Sequence, residues 1–191
     1  MTKNCLLCGV GGQGTVLASK LIAFATMEKG EQVRTSETIG MSQRGGCVVS
    51  HVRTGGKIES PMLPKGSADV IIAFEPAEAV RNISYLKKDG TVIVNKKAVK
   101  PVTASLSGSD YDGSEMLDYL KSAVKNLTVI DGDQICEKCG SPKVLNTALL
   151  AAAAKSGELG ITVEELKSAI EKRIPQKFHE INLKAVRIVT E

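Results

Sequence analysis

Hydrophobic and polar positions along this chain follow two periods, and the boundaries between them mark out alternating strands and helices. Asn4 to Cys8 (NCLLC) is a short apolar run ending at Gly9, the pattern of a buried first strand. The glycine-rich stretch Gly9-Val10-Gly11-Gly12-Gln13-Gly14 follows at once. Val16, Leu17, Leu21, Phe24 and Met27 then recur at helical spacing up to a glycine stop at Gly30. Gln32–Ser36 and Cys47–Arg53 read as strands, and Thr38–Gly46 as a glycine-punctuated loop. Gly55-Gly56 predicts a tight hairpin turn into Ile58-Glu59, and so an antiparallel portion of the sheet. Asp69–Phe74 (DVIIAF) is continuously apolar, as in a parallel strand covered on both faces. Pro76 suits the first position of a helix. Thr91–Asn95 and Leu127–Ile130 are further strands, with a helix over Glu115–Val124 between them.

The remainder reads as helical. Pro142 opens an alanine-rich helix that ends at Gly157. Thr162-Val163-Glu164-Glu165 is a capping box, and Pro175 opens a last helix through about Arg187. Strands alternating with helices predict an α/β fold: a three-layer α/β/α sandwich with a mixed, mostly parallel sheet. Its N-terminal βα unit is Rossmann-like and its C-terminal portion helical. The expected organisation is one domain over 1–191, with the helices of about 142–189 packed on it.

Composition narrows the function classes. The net charge of +4 is scattered over 191 residues, and aromatics are 3% with no Trp. A nucleic-acid binder would concentrate its charge and carry stacking platforms, so no nucleic-acid partner is expected. No run of 18 apolar residues is present, which predicts no membrane association. The start MTKNCLLCGVGG has no basic stretch leading into an apolar one, and five cysteines is an odd number. Both features point to a reducing cytoplasm.

The richest local chemistry lies in the first strand–turn–helix. Gly9, Gly11 and Gly14 satisfy G-x-G-x-x-G in the right context, and a helix N-terminus offers free N–H groups to an anion. Glu37 falls where a ribose-binding acid would sit. Gly12 and Gln13 are not part of the dinucleotide fingerprint, and glycines also serve simple close packing. Residue types alone leave both readings open. Gln43-Arg44-Gly45-Gly46 sets a guanidinium and an amide beside paired glycines, a carboxylate or anion clamp if not an ordinary loop.

Two CxxC pairs, Cys5/Cys8 and Cys136/Cys139, are too far apart in sequence for a zinc ribbon. Cys5 and Cys8 fall on opposite faces of a strand, and neither histidine completes a ligand set, so no metal is expected in this chain. No iron–sulfur run is present. Asp131-Gly132-Asp133 reads as a turn whose acid caps the next helix. Ser50 and His51 face opposite ways on a strand and form no dyad, which leaves His51 a core or interface residue. Lys87-Lys88, Lys96-Lys97 and Lys100 read as a solvated rim.

Four stretches taken together resemble a known family. They are GVGGQGTVLASKLI, SETIGMSQRGGCVVSHVR, SPMLPKGSADVIIAFEPAEAVR and YLKKDGTVIVN. They are similar to the gamma-domain family of 2-oxoacid:ferredoxin oxidoreductases, closely over Cys8 to about Asn95. A looser likeness runs through Asn146 and Asn182-Leu-Lys-Ala185. G-x-G-G-Q-G is shared across that family, while G-M-S-Q-R-G-G and S-H-V-R resemble its indolepyruvate branch. The resemblance implies a small subunit that is inactive alone. Thiamin diphosphate, Mg and [4Fe-4S] clusters would sit in a large alpha subunit, which would pass electrons to ferredoxin. Coenzyme A would be the co-substrate, and an aryl pyruvate would become an arylacetyl-CoA. The glycine loop Gly9–Gly14 and the segment Gln43–Gly46 are then the candidate functional surface. Catalytic residues in this chain are not assigned. Other readings remain at this point: a gamma subunit for another 2-oxoacid, a stand-alone NAD(P)-dependent oxidoreductase using the glycine loop, or a scaffold module.

Overall fold

A computed structural model describes residues 2–39, 46–100 and 111–191 of the chain. Six strands among the described residues form one sheet in the order β2-β3-β1-β4-β5-β6. They are β1 (Lys3–Val10), β2 (Gln32–Ile39), β3 (Cys47–Gly55), β4 (Ala68–Ala73), β5 (Leu86–Asn95) and β6 (Asn126–Ile130). β3 alone runs against the others. It pairs antiparallel with β1 and β2, while β1-β4, β4-β5 and β5-β6 are parallel. The expected mixed, mostly parallel sheet is therefore present.

The helices are α1 (Thr15–Glu28), α2 (Pro76–Asn82), α3 (Ser114–Ala123), α4 (Gly132–Cys139), α5 (Leu145–Lys155), α6 (Val163–Arg173) and α7 (His179–Thr190). Strand alternation divides the sheet's side chains into two cores. Cys5, Leu7, Val70, Ile72 and Ile93 face α1, α5 and α6. Leu6, Cys8, Ile71, Ala73, Val92 and Val94 face α2 and α3. Helix α5 is buried on every side from Asn146 to Ala154, in keeping with a sequence that is apolar all round from Ala148 to Ala154. Each fully buried Leu or Ile contributes about 1.5–3 kcal/mol, so these two layers hold the sheet.

Local signals explain the element ends. Glu75 caps α2 by accepting from the Glu78 N–H, with Pro76 in the first turn. Asp131 caps α4 through the Gln134 N–H. The Thr162/Glu165 capping box at α6 is complete in both directions. Pro142 and Pro175 each precede their helix by a short 3-10 turn rather than starting it directly.

The expected hairpin at Gly55-Gly56 is not formed. β3 ends at Gly55, and no strand follows at Ile58-Glu59. Ile58 instead tucks in, 4% exposed, with its N–H on Gln32 Oε1 at 3.3 Å. Burying that side chain takes the place of ladder pairing. The antiparallel character was expected correctly, but it arises from β3 lying between β1 and β2.

Candidate functional site

The glycine loop lies where β1 and β4, adjacent and parallel, end side by side. Chain direction reverses there: β1 leads towards β2, and β4 leads towards β5 and β6. Open α/β sheets form their ligand crevices at such switch points. Gly9 is demanded by crowding. A Cβ there would stand 2.8 Å from Gln13 Oε1, 2.9 Å from Phe74 Cβ and 3.2 Å from Thr15 Cγ2. Gly14 is the α1 N-cap at φ 88°, a left-handed conformation that favours glycine.

Gln13 braces this turn. Its Oε1 accepts the Val10 N–H at 2.7 Å, and its Nε2 donates to the Phe74 carbonyl at 3.2 Å. Asn95 Nδ2 donates to the same carbonyl at 3.3 Å, and Asn95 Oδ1 accepts the Gly132 N–H at 3.2 Å. A row of hydrogen bonds therefore crosses the carboxyl ends of β1, β4, β5 and β6. Both ends of the Gln13 amide are used inside the protein. Sequence reasoning missed Asn95; its only signal was an amide closing the apolar run TVIVN.

The Gly11 N–H donates to the Gly46 carbonyl at 2.9 Å, which brings Gly46 against the loop. Gln43, Arg44 and Gly45 lie outside the described residues. Gly12 is exposed at the loop tip. Helix α1 has no side-chain cap and no acidic residue in its first turn, so its positive end is left uncompensated.

A second constellation sits at the start of α2. Glu75 is 2% exposed, and its Oε1 accepts from the Tyr111 hydroxyl at 2.5 Å and the Val99 N–H at 3.4 Å. Burial, then that hydrogen bond to Glu75, raises the Tyr111 hydroxyl. Glu78 Oε1 accepts from the Cys47 thiol at 3.2 Å and lies 3.3 Å from Arg81 Nε. Its Oε2 is buried without a partner, and burial pushes the Glu78 carboxyl up. The Cys47 thiol is also raised, by desolvation first and then by its bond to Glu78. It is therefore held as a thiol, not activated as a thiolate nucleophile.

The dinucleotide pattern does not assemble. Glu37 lies on β2, which β3 separates from β1, and its carboxylate accepts from Ser19 Oγ at 3.0 Å. A ribose-binding acid belongs at the end of the strand beside the glycine loop.

The remaining candidates fall into place singly. Cys5 and Cys8 enter opposite cores. Cys136 and Cys139 lie on α4, and burial raises the Cys136 thiol. Among the described residues, no three His, Cys, Asp or Glu come together in a way that could hold a metal. His51 is a core residue: its Nδ1 accepts the Leu63 N–H at 3.2 Å, its ring meets Tyr85 edge-on, and burial lowers its pKa. Lys96 and Lys97 pair with Asp131 and Asp133 on the surface. Lys87 departs from the expected solvated rim, because it pairs at 2.5 Å with Asp69, whose side chain is only 13% exposed.

A profile of the family described as Pyruvate ferredoxin/flavodoxin oxidoreductase matches residues 4–191. The chain is 35% identical over 184 residues to the indolepyruvate oxidoreductase subunit IorB of Pyrococcus horikoshii, covering 95% of this chain and 91% of that one. It is 32% identical to the pyruvate/ketoisovalerate oxidoreductases common subunit gamma of Pyrococcus abyssi, covering 94% and 90%. In fold it matches the pyruvate oxidoreductase subunit PORC of Thermotoga maritima at a TM-score of 0.72 and 20% identity, over 99% and 95% of the two chains. The glycine loop, the switch-point geometry and these near-full-length matches agree: the chain belongs to the pyruvate ferredoxin/flavodoxin oxidoreductase family, as one of its small, gamma-type subunits.

Proposed function

We propose that this chain is the small subunit of an indolepyruvate-type 2-oxoacid:ferredoxin oxidoreductase, inactive alone and completed by a large alpha subunit. The observation that carries the reading is the 35% identity, over nearly the whole of both chains, to a subunit of that name. In this reading an aryl pyruvate is oxidatively decarboxylated, coenzyme A takes the acyl group, and the electrons leave for ferredoxin. Thiamin diphosphate, Mg and [4Fe-4S] clusters are assigned to the large subunit. The described residues of this chain do not fit a cluster or metal, since its cysteines are split between two cores, the exposed start of β3 and helix α4. No step of the chemistry is therefore placed on them.

The chain's own part is structural and positional. The braced ends of β1, β4, β5 and β6 form a firm floor, and we assign the Gly9–Gly14 loop and the segment Gln43–Gly46 to the surface that serves the large subunit. Walling off such a cleft keeps water from reactive intermediates. Arg44 is proposed to hold a carboxylate or phosphate there. No helix among the described residues is long and apolar enough to cross a membrane, and we place the assembly in the cytoplasm. We also treat the chain as one domain, with its C-terminal helices packed on the sheet.

The 32% identity to a pyruvate/ketoisovalerate subunit supports a second reading, the same role with a different 2-oxoacid. An anaerobic affinity purification of the chain from its native lysate tests both. The reading predicts a large co-purifying subunit that contains thiamin diphosphate and iron–sulfur clusters. Among 2-oxoacids tested with a viologen acceptor, indolepyruvate should be oxidised fastest, with the viologen reduced. Preference for pyruvate or a branched 2-oxoacid would favour the second reading. Recovery of the chain alone, colourless, would overturn both.

A further inference from the structure

Glu78 is a buried acid that the proposed function leaves unused. The residue is 4% exposed although it carries a carboxyl. Its Oε1 takes two donors, the Cys47 thiol at 3.2 Å and Arg81 Nε at 3.3 Å. Its Oε2 is buried and has no partner among the described residues. A neutral carboxyl tolerates such a place far better than a charged one, because an ion loses much more hydration on burial.

The surroundings reinforce that preference. Among the described residues, Cys47 faces Glu78 from β3, Cys8 from β1, Glu75 from the turn before α2 and Arg81 from α2 itself. Glu75 is a second buried carboxyl, and Cys8 is held as a thiol by burial first and then by the Glu78 charge. Arg81 is the one cation of these four groups, and its side chain is 63% exposed, where water screens it. Burial therefore pushes the Glu78 carboxyl up, and the Cys47 and Arg81 contacts offset only part of the rise.

The same carboxyl lies at the edge of the glycine loop. Cys47 stands opposite Val10 at the end of the β1–β3 ladder. The pair beyond it, Gly11 and Gly46, is joined by the Gly11 N–H donating to the Gly46 carbonyl at 2.9 Å. Among the described residues, Glu78 is the one polar side chain bonded to the Cys47 thiol. The thiol–carboxyl contact thus ties the start of β3 to α2, one residue from the loop.

We propose that Glu78 is a proton-controlled latch on the glycine loop. With its proton on, the carboxyl stays buried and the start of β3 stays seated on α2. When the proton leaves, the carboxylate moves out towards water, and the Gly11–Gly46 contact opens more often. The closed state holds the proton at a pH where an open, hydrated Glu78 has released it, so rising pH favours opening. One proton is involved, so the ratio of closed to open falls by up to about tenfold per pH unit between the ordinary glutamate value and the raised one. The latch is built from this chain's own residues and does not depend on the proposed function.

Amide exchange followed by NMR on the full-length chain, corrected for the intrinsic rate, tests the latch between about pH 4 and about pH 8. Gly11 protection should fall as pH rises, by up to about tenfold per unit, while the Glu78 carboxyl carbon titrates above the ordinary glutamate value. The Gly132 N–H, held by Asn95 at the other end of the row, should not follow it. In Glu78→Gln, Gly11 protection should be flat over the same range. Cys47→Ala should lower it at every pH and move the Glu78 titration further up, because the thiol bond favours the ionised form. Cys47→Ser, which keeps a donor, should restore both. Glu164→Gln, on an exposed side chain of α6, should behave as wild type. Circular dichroism confirms that each variant is folded. A Glu78 midpoint at the ordinary value, flat Gly11 protection in wild type, or the same fall in Glu78→Gln would overturn the latch. So would an equal fall at Gly132, or unchanged protection in folded Cys47→Ala.

Discussion

Gly9→Ala puts the tightest contact of the glycine loop to a quantitative test. The added Cβ would lie 2.8 Å from Gln13 Oε1 and 2.9 Å from Phe74 Cβ. Phe74 cannot retreat: its side chain is fully buried, and its N–H is held by the Cys8 carbonyl at 2.8 Å. Relief must come from Gln13, which would release the Val10 N–H and one of two donors to the Phe74 carbonyl. Each such bond contributes about 1 kcal/mol net, and overpacking a fitted site adds about 1–3 kcal/mol. The expected destabilisation is therefore about 3–5 kcal/mol, read from urea unfolding midpoints at constant m. The cost should be coupled to Gln13. In a Gln13→Ala background the clashing amide is absent, so Gly9→Ala should cost at least about 1 kcal/mol less than it does alone. A single-variant effect below about 0.5 kcal/mol, or strict additivity with Gln13→Ala, would refute the reasoning.

Three further predictions concern other residues. Because burial raises the Glu78 carboxyl, the folded chain holds that proton after the unfolded chain has released it, so this group's contribution to stability falls as pH rises from the ordinary glutamate value through the raised one. Glu78→Gln removes that fall, and its stability relative to wild type should grow between about pH 4 and about pH 8; parallel curves would contradict this. Asn95→Ala strands the buried Gly132 N–H and should cost about 2–4 kcal/mol, with faster hydrogen exchange at Gly132; undiminished protection there would show that the bond does not matter. Arg44→Ala should raise KM for the 2-oxoacid or weaken subunit affinity in the assembled enzyme, and no change in either, or in turnover, would remove Arg44 from the proposed surface.

Much of the local structure was legible because its causes are local. The β1–loop–α1 unit, the Thr162 capping box, the Asp131 cap and the opposite faces of Cys5 and Cys8 all follow from spacing within a few residues. Strand order was not legible. Nothing near Cys47–Gly55 says that this strand inserts between β2 and β1, because pairing across the sheet is set by distant apolar faces. That insertion also separated Glu37 from the glycine loop and broke a pattern that looked intact in one dimension. The misplaced hairpin at Gly55-Gly56 came from a turn signal whose following residue, Ile58, gains more from burial than from pairing. Asn95 carried only the faint sign of an amide closing an apolar run, and Glu78 none that told of its bond to Cys47. Gly132, which Asn95 holds, and Cys47, which Glu78 holds, both lie more than thirty residues away in sequence.

The central claim is that this chain completes an oxidoreductase whose cofactors lie in a larger subunit. Its most direct test is anaerobic indolepyruvate- and coenzyme A-dependent viologen reduction by the purified large subunit, titrated with this chain. The account predicts negligible turnover for either part alone and activity that rises with added chain until it saturates at a fixed ratio. Full activity of the large subunit without the chain, or no response to its addition, would contradict it.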